Sequence, residues 1–181
     1  MSTMWKMTGL WCCVLFMASC ASQKTQQNLG GWSPTPAKAE PSDMERFRAL
    51  EGTWLSTYEN PEWPPVEVTY ETIAADSAVV ETVFAGQPHE MMTVFHLDGD
   101  QLLCKHYCAA QNQPLLVAEA ITPERVAFAT VDVSNLASPD AMYMGAVEFR
   151  FVDQDHIEVS WTSFENGQPG ETVDVTCKRQ Q

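Results

Sequence analysis

Positive charge is what this 181-residue chain has least of. Ten Lys and Arg stand against 24 Asp and Glu, a formal net charge of −14. Nucleic-acid binders carry basic patches that neutralise phosphate, so this balance excludes that partner class. It equally excludes adsorption to anionic lipid through charge, and the acidity serves solubility. A long apolar run is also missing. The apolar stretch near the N-terminus is shorter than the roughly 20 residues a transmembrane helix needs. Beyond Gly52 no segment carries convincing helical periodicity. A Cys-His-Asn grouping exists in Cys108, His106 and Asn112, but its members crowd into one strand and the following turn. No oxyanion motif accompanies it, so no catalytic motif is recognisable and we expect a non-enzyme.

What is present begins with a leader. Lys6 precedes an apolar run through Leu10, Trp11, Val14, Leu15 and Phe16, which ends in Met17-Ala18-Ser19-Cys20. A basic start, a short apolar core and small residues before a cut read as a secretory signal over residues 1–19. The ending resembles a bacterial lipobox, with cleavage before Cys20 and lipid on its sulfur. An ordinary signal peptide cut nearby, or Cys20 as a free thiol, is the alternative. Ala21 rather than Asp follows, which by resemblance to known sorting rules points to the outer membrane, facing the periplasm. The membrane contact would then be the lipid anchor. Removing residues 1–19 takes away Lys6 and no acid, so 9 basic residues face 24 acids and the net charge becomes −15.

The cysteines thin out in the mature chain. Cys12 and Cys13 leave with the leader and Cys20 takes lipid, which leaves Cys104, Cys108 and Cys177, an odd number in an oxidising compartment. On an extended strand Cys104 and Cys108 are about 13 Å apart, too far for a disulfide. Any bridge must therefore use Cys177. We expect Cys104–Cys177, with Cys108 free.

Residues 20–41 are polar, with Gly30, Gly31, Pro34, Pro36 and Pro41, and read as a disordered tether. Trp32 is its one large apolar residue. Ser42-Asp43-Met44-Glu45 fits a capping box with Ser42 as N-cap, and Met44, Phe47 and Leu50 follow at helical spacing. This predicts a short helix over 43–50, ended by Gly52. Ten runs rich in Val, Thr, Phe and Tyr then recur at hairpin spacing: 52–59, 65–74, 78–85, 90–97, 101–108, 114–121, 125–133, 142–152, 156–165 and 171–178. Tight turns separate most of them. Such a chain builds an antiparallel sheet, and closing it into a barrel removes its edges. The expected fold is all-β, an antiparallel barrel of about ten strands behind one short helix, occupying 42–181. Ile157, Val159 and Trp161 face inward, as do Tyr143, Val147, Phe149 and Phe151. They either fill the barrel or wall a cavity. Residues 134–141 are the longest interruption and suit a flap at the barrel mouth.

The densest chemistry lies in Cys104-Lys105-His106-Tyr107-Cys108, running on to Asn112, Gln113 and Pro114. Alternation puts Leu102, Cys104, His106 and Cys108 on one face and Leu103, Lys105 and Tyr107 on the other. Lysine prefers water, so the face with His106 is the inner one. A buried imidazole needs hydrogen-bond partners, and Asn112 and Gln113 are candidates. The candidate ligand-binding set is His106, Tyr107, Cys108, Asn112, Gln113, Met142, Met144, Phe149 and Trp161. His106, Cys108 and Cys104 carry ligand chemistry for zinc or copper, and Met142 and Met144 would add thioether sulfur. Spacing of i, i+2 on a strand is not a zinc-finger pattern, so no metal or other cofactor is expected. A polar network of His106, Tyr107 and Asn112 is the plainer reading.

Gly52-Thr53-Trp54 opening an all-β chain behind a short helix resembles the calycin group, in which Gly-x-Trp plugs one end of a lipocalin-type barrel. Leu50-Glu51-Gly52-Thr53-Trp54 belongs to the same resemblance, with His106-Tyr107-Cys108 and Asn112-Gln113-Pro114. So do Phe151-Val152-Asp153, Asp155-His156 and Trp161. Over about 47–178 the chain resembles a family of uncharacterised lipocalin-like bacterial proteins, many exported or lipid-anchored. The resemblance implies a barrel and no established reaction. Where relatives often carry two alternate His, this chain has Met142 and Met144, which would alter a metal or polar-ligand site facing His106. Resemblance to haem-binding nitrobindin barrels fails at Leu55-Ser56-Thr57, where a glycine-rich continuation belongs. It fails again at the C-terminus, which has no His to act as axial ligand. The expectation is a lipid-anchored barrel that binds or carries a small, mostly apolar molecule. A metal or enzymatic site at His106 and Cys108, and a structural partner in the envelope, are the other classes.

Overall fold

The computed structural model describes residues 34–181. The expected leader, the lipidation site Cys20 and Trp32 lie outside the described residues. One helix, α1 (Pro41–Arg48), precedes ten strands: β1 (Gly52–Tyr58), β2 (Val66–Ile73), β3 (Ala78–Val83), β4 (Met91–Asp98), β5 (Gln101–Tyr107), β6 (Gln113–Ile121), β7 (Arg125–Ser134), β8 (Tyr143–Asp153), β9 (His156–Glu165) and β10 (Gln168–Arg179). Each strand pairs antiparallel with the next, and β1 pairs with β10, so the sheet closes without a free edge. This is the all-β barrel expected from the alternation, with every strand within about three residues of its expected bounds. Among the described residues no helix is long and apolar enough to cross a membrane.

The helix begins two residues earlier than its capping pattern suggested. Glu40, not Ser42, is the N-cap, and its N–H donates to Asp43 Oδ2 at 2.8 Å. Pro41 explains the shift: a first helical position needs no N–H, and proline's fixed φ suits it. The expected tether also ends sooner than residue 41. Ala37 N–H donates to the Ala118 carbonyl and Ala39 N–H to that of Asp100, so the chain is already docked there.

The two barrel ends are built differently. At the first, the connections 74–77, 99–100, 122–124 and 154–155 are short. Here α1 lies across the opening. Arg46 donates to the Thr122 carbonyl and Arg48 to that of Asp76. Phe47 enters the lumen and stacks on Phe95 with centroids 4.6 Å apart, while Phe128, Phe149 and Phe151 meet it edge-on. Trp54 is fully buried beside them, its indole N–H donating to the Leu50 carbonyl and its ring covered by the Arg179 guanidinium. At the second end the connections 59–65, 84–90, 108–112 and 135–142 are longer, and among the described residues no helix covers them.

One inward assignment is corrected. Tyr143 does not share the lumen with Val147 and Phe149. It packs with Val133 and Phe164 in a separate small cluster. The register shifts between Met144 and Ala146, so the alternation changes phase across Gly145. A Cβ at 145 would run into the Phe164 ring, which only glycine avoids.

Candidate functional site

The second end holds a cavity of about 240 Å³. Val68, Val83, Phe84, Met91, Met144, Val159, Trp161, Val173 and Val175 make most of its wall. Ser56, Tyr58, Glu81, His106, Cys108 and Cys177 supply the polar and sulfur atoms. Valine dominates because inward positions of paired strands favour β-branched side chains. An engineered dry cavity of about 150 Å³ accepts benzene, so a single-ring molecule fits this one. It lies below the roughly 300 Å³ at which drug-sized sites begin.

A row of polar groups crosses one wall. Strand pairing sets Tyr70 opposite Glu81, Glu81 opposite Thr93, and Thr93 opposite His106, across β2, β3, β4 and β5. Opposed residues of an antiparallel pair share a face, so all four point inward. Each is buried, with exposures of 2%, 4%, 1% and 5% in that order. Tyr70 donates its hydroxyl to Glu81 Oε1 at 2.7 Å, and Thr93 Oγ1 lies 3.0 Å from His106 Nδ1. Trp161 packs on the imidazole with centroids 4.7 Å apart.

Burial sets the protonation of this wall. It depresses His106 to about 4, so the imidazole is neutral. It raises Glu81, against the hydrogen bonds from Tyr70 and Thr93 that favour the carboxylate. Burial also lifts Tyr70 well above its ordinary value, with the Glu81 charge adding to the effect. The three thiols are raised by burial as well, Cys177 to about 12, so none is an activated nucleophile.

Of the candidate ligand-binding set, His106, Cys108, Met144 and Trp161 come together at the cavity. The others do not. Tyr107 is 49% exposed and points out of the barrel, and Met142 is 42% exposed in the connection before β8. Phe149 belongs to the aromatic cluster under α1. Asn112 is buried, but its side chain donates to the Met142 carbonyl, and its Oδ1 has no partner. Gln113 Nε2 reaches the Gln111 carbonyl. The partner of His106 is thus Thr93, not Asn112 or Gln113, because the β4–β5 register places Thr93 directly opposite. The expected Cys104–Cys177 bridge is not formed: both are buried free thiols. β5 and β10 stand on opposite walls, five strands apart either way round the barrel. Cys104 does not line the cavity, and among the described residues no three His, Cys, Asp or Glu side chains are grouped to hold a metal ion. The connection 135–142 sits at the cavity end, where the Asp140 carbonyl accepts from Asn166 N–H. None of its residues lines the cavity.

No protein-family model matches this chain, and no curated protein matches it. Among solved structures it is similar to a protein of unknown function from the DUF3598 family of Nostoc punctiforme, at TM-score 0.46 and 15% identity. That match covers 83% of this chain and 53% of the other, so the chain spans about half the length of that protein. It is also similar to a redesigned beta barrel, at TM-score 0.35 and 11% identity, over 75% of this chain and 95% of that one.

Proposed function

We propose that this is a lipid-anchored protein of the bacterial envelope that binds a small, mostly apolar molecule in the uncapped end of its barrel. The observation that carries the binding reading is the cavity of about 240 Å³, walled mainly by valine and aromatic side chains around one buried imidazole. The anchor rests on Lys6, the apolar run and Met17-Ala18-Ser19-Cys20, whose order suits a lipoprotein leader and the outer membrane. A calycin-type lipoprotein family is the resemblance that joins the two halves. We read the site as one for binding rather than catalysis. Its thiols are raised by burial and its imidazole is held at about 4, too weak a base to take a proton from them.

The test is native mass spectrometry of the full chain, purified as the cell processes it, followed by calorimetric titration with single-ring aromatics. The expected result is an organic mass carried through purification, or binding that Val175→Phe abolishes by filling the cavity. Failure of every single-ring compound to bind a chain that carries no organic mass would overturn the reading. Loss of the diacylated N-terminal peptide in Cys20→Ser checks the anchor separately.

A further inference from the structure

We propose that His106 Nε2 is the hydrogen-bond acceptor of the cavity, and that the ligand is a neutral, mostly apolar molecule carrying one hydroxyl donor, an alcohol or a phenol. This rests on the binding reading above and adds the chemistry the ligand must have.

The polar row fixes the atom's role through a count of hydrogens. A carboxylate only accepts, and Glu81 accepts from Tyr70 at 2.7 Å. The Thr93 hydroxyl has one hydrogen, and the β3–β4 register sets it beside the Glu81 carboxylate, a stronger acceptor than a neutral imidazole nitrogen. Thr93 Oγ1 is then left to accept from its other neighbour, His106 Nδ1, 3.0 Å away. A neutral imidazole carries one N–H. With that hydrogen on Nδ1, Nε2 presents a bare lone pair. Four residues in register across four strands hold this arrangement, and Trp161 fixes the plane of the ring.

Nε2 has no hydrogen bond among the described residues, and it is not sealed. The unpartnered polar atoms shut off from solvent there are Arg46 Nη2, Thr72 Oγ1 and Asn112 Oδ1. His106 instead lines the cavity. Two of the wall's other oxygen-bearing side chains are engaged. Ser56 donates to the Val66 carbonyl, and Glu81 accepts from Tyr70. A ligand must therefore bring a donor to Nε2. A carboxylate would bring a lone pair to a lone pair and a second negative charge close to Glu81. A cation would lose its hydration against walls of valine and phenylalanine.

Three matched probes test this on the full chain: p-cresol has a donor, 4-methylanisole only an acceptor, and toluene neither. We expect p-cresol to bind at least about tenfold tighter than toluene, since toluene leaves the buried acceptor unpaired. His106→Phe keeps a ring against Trp161 and should bring the two within about twofold. Equal binding of p-cresol and toluene to the unaltered chain, or a preference for 4-methylanisole, overturns the proposal while the cavity remains a binding site. If none of the three binds, the binding reading itself falls. A second measurement does not depend on any variant's folding. Nitrogen-15 NMR of the ligand-free chain should show His106 protonated at Nδ1 and bare at Nε2, and a proton on Nε2 overturns the proposal.

Discussion

The two ends of this barrel are made from the same ten strands and do opposite things with them. At the helix end, Phe47 fills the lumen and touches four phenylalanines from β4, β7 and β8. At the other end the inward positions carry valine, methionine and a polar row, and the space is left open. The contrast follows from side-chain volume. A ten-stranded barrel is wider than an eight-stranded one, whose lumen side chains just fill. Here the extra width is taken up at one end by a helix inserted from outside the sheet. Among the described residues nothing of that kind enters the other end, where the cavity lies.

The largest expected effect of that difference is on stability. Phe47→Ala removes the plug's centre and should cost about 3 to 5 kcal/mol, read as a fall in urea midpoint. Trp161→Phe at the cavity removes a ring that already borders open space, and should cost less than about 1.5 kcal/mol. Equal losses would mean that both ends contribute alike to the core, and the contrast would break.

The cavity end should also carry the opposing pH dependences. Burial holds folded His106 at about 4, against 6.5 for a free imidazole. As pH falls from 6.5 to 4 the unfolded chain takes up a proton that the folded chain refuses. Stability is therefore lost with falling pH across that window, by about 3 kcal/mol when complete. Glu81 works in the other direction. Its folded carboxyl is raised above 4.5, so it keeps a proton that the unfolded chain releases, and stability is lost as pH rises from 4.5 toward the folded value. The two slopes partly cancel just above pH 4.5. Glu81→Gln should unmask the acid loss due to His106, and His106→Phe should unmask the reverse slope. Urea titrations of the three proteins between pH 4 and 7 measure both. Superimposable profiles would remove this wall from the energetics of the fold.

Much of the contrast is legible in the residues, and the gaps have physical causes. Period-2 alternation gives ten strands and turns His106 inward, and the same alternation turns Tyr107 out to solvent. The turn at Gly99 and Asp100 pairs Asp98 with Gln101, and counting back pairs Thr93 with His106. That partner was within reach of the sequence, whereas nearness along the chain pointed to Asn112. Glu81 is harder. It alternates with Val79 and Val83, but a carboxylate is rarely buried, so composition argues against its being inside. Only the matching Tyr70, placed by the β2–β3 register, makes its burial tolerable. The phase change at Gly145 carries no local signal, because a bulge is selected by packing against Phe164 on another strand. The cavity itself is a difference between lumen volume and side-chain volume, which alternation does not report.

The smallest expected effect, and the finest probe of the contrast, is the order in which the thiols react. Cys108 lies at the cavity end and is half-buried, whereas Cys177 is 2% exposed and Cys104 fully buried. All three are raised by burial, so labelling of the folded chain should be slow at neutral pH. Cys108 should still react first, because its sulfur needs only a reagent at the mouth. Cys177 also lines the cavity, but deeper, near the β10 end that pairs with β1 beside Trp54. Cys104 faces the filled lumen between Phe95 and Leu116 and needs the barrel to open. Peptide mapping after timed alkylation reads the order, and p-cresol should slow Cys108 and Cys177 while leaving Cys104 unchanged. Protection of Cys104 alone would place the ligand against the plug rather than in the cavity. Equal rates at Cys104 and Cys108 would mean that the plugged end opens as readily as the empty one. The fluorescence and urea midpoints of Phe47→Ala would then have to show the same equality.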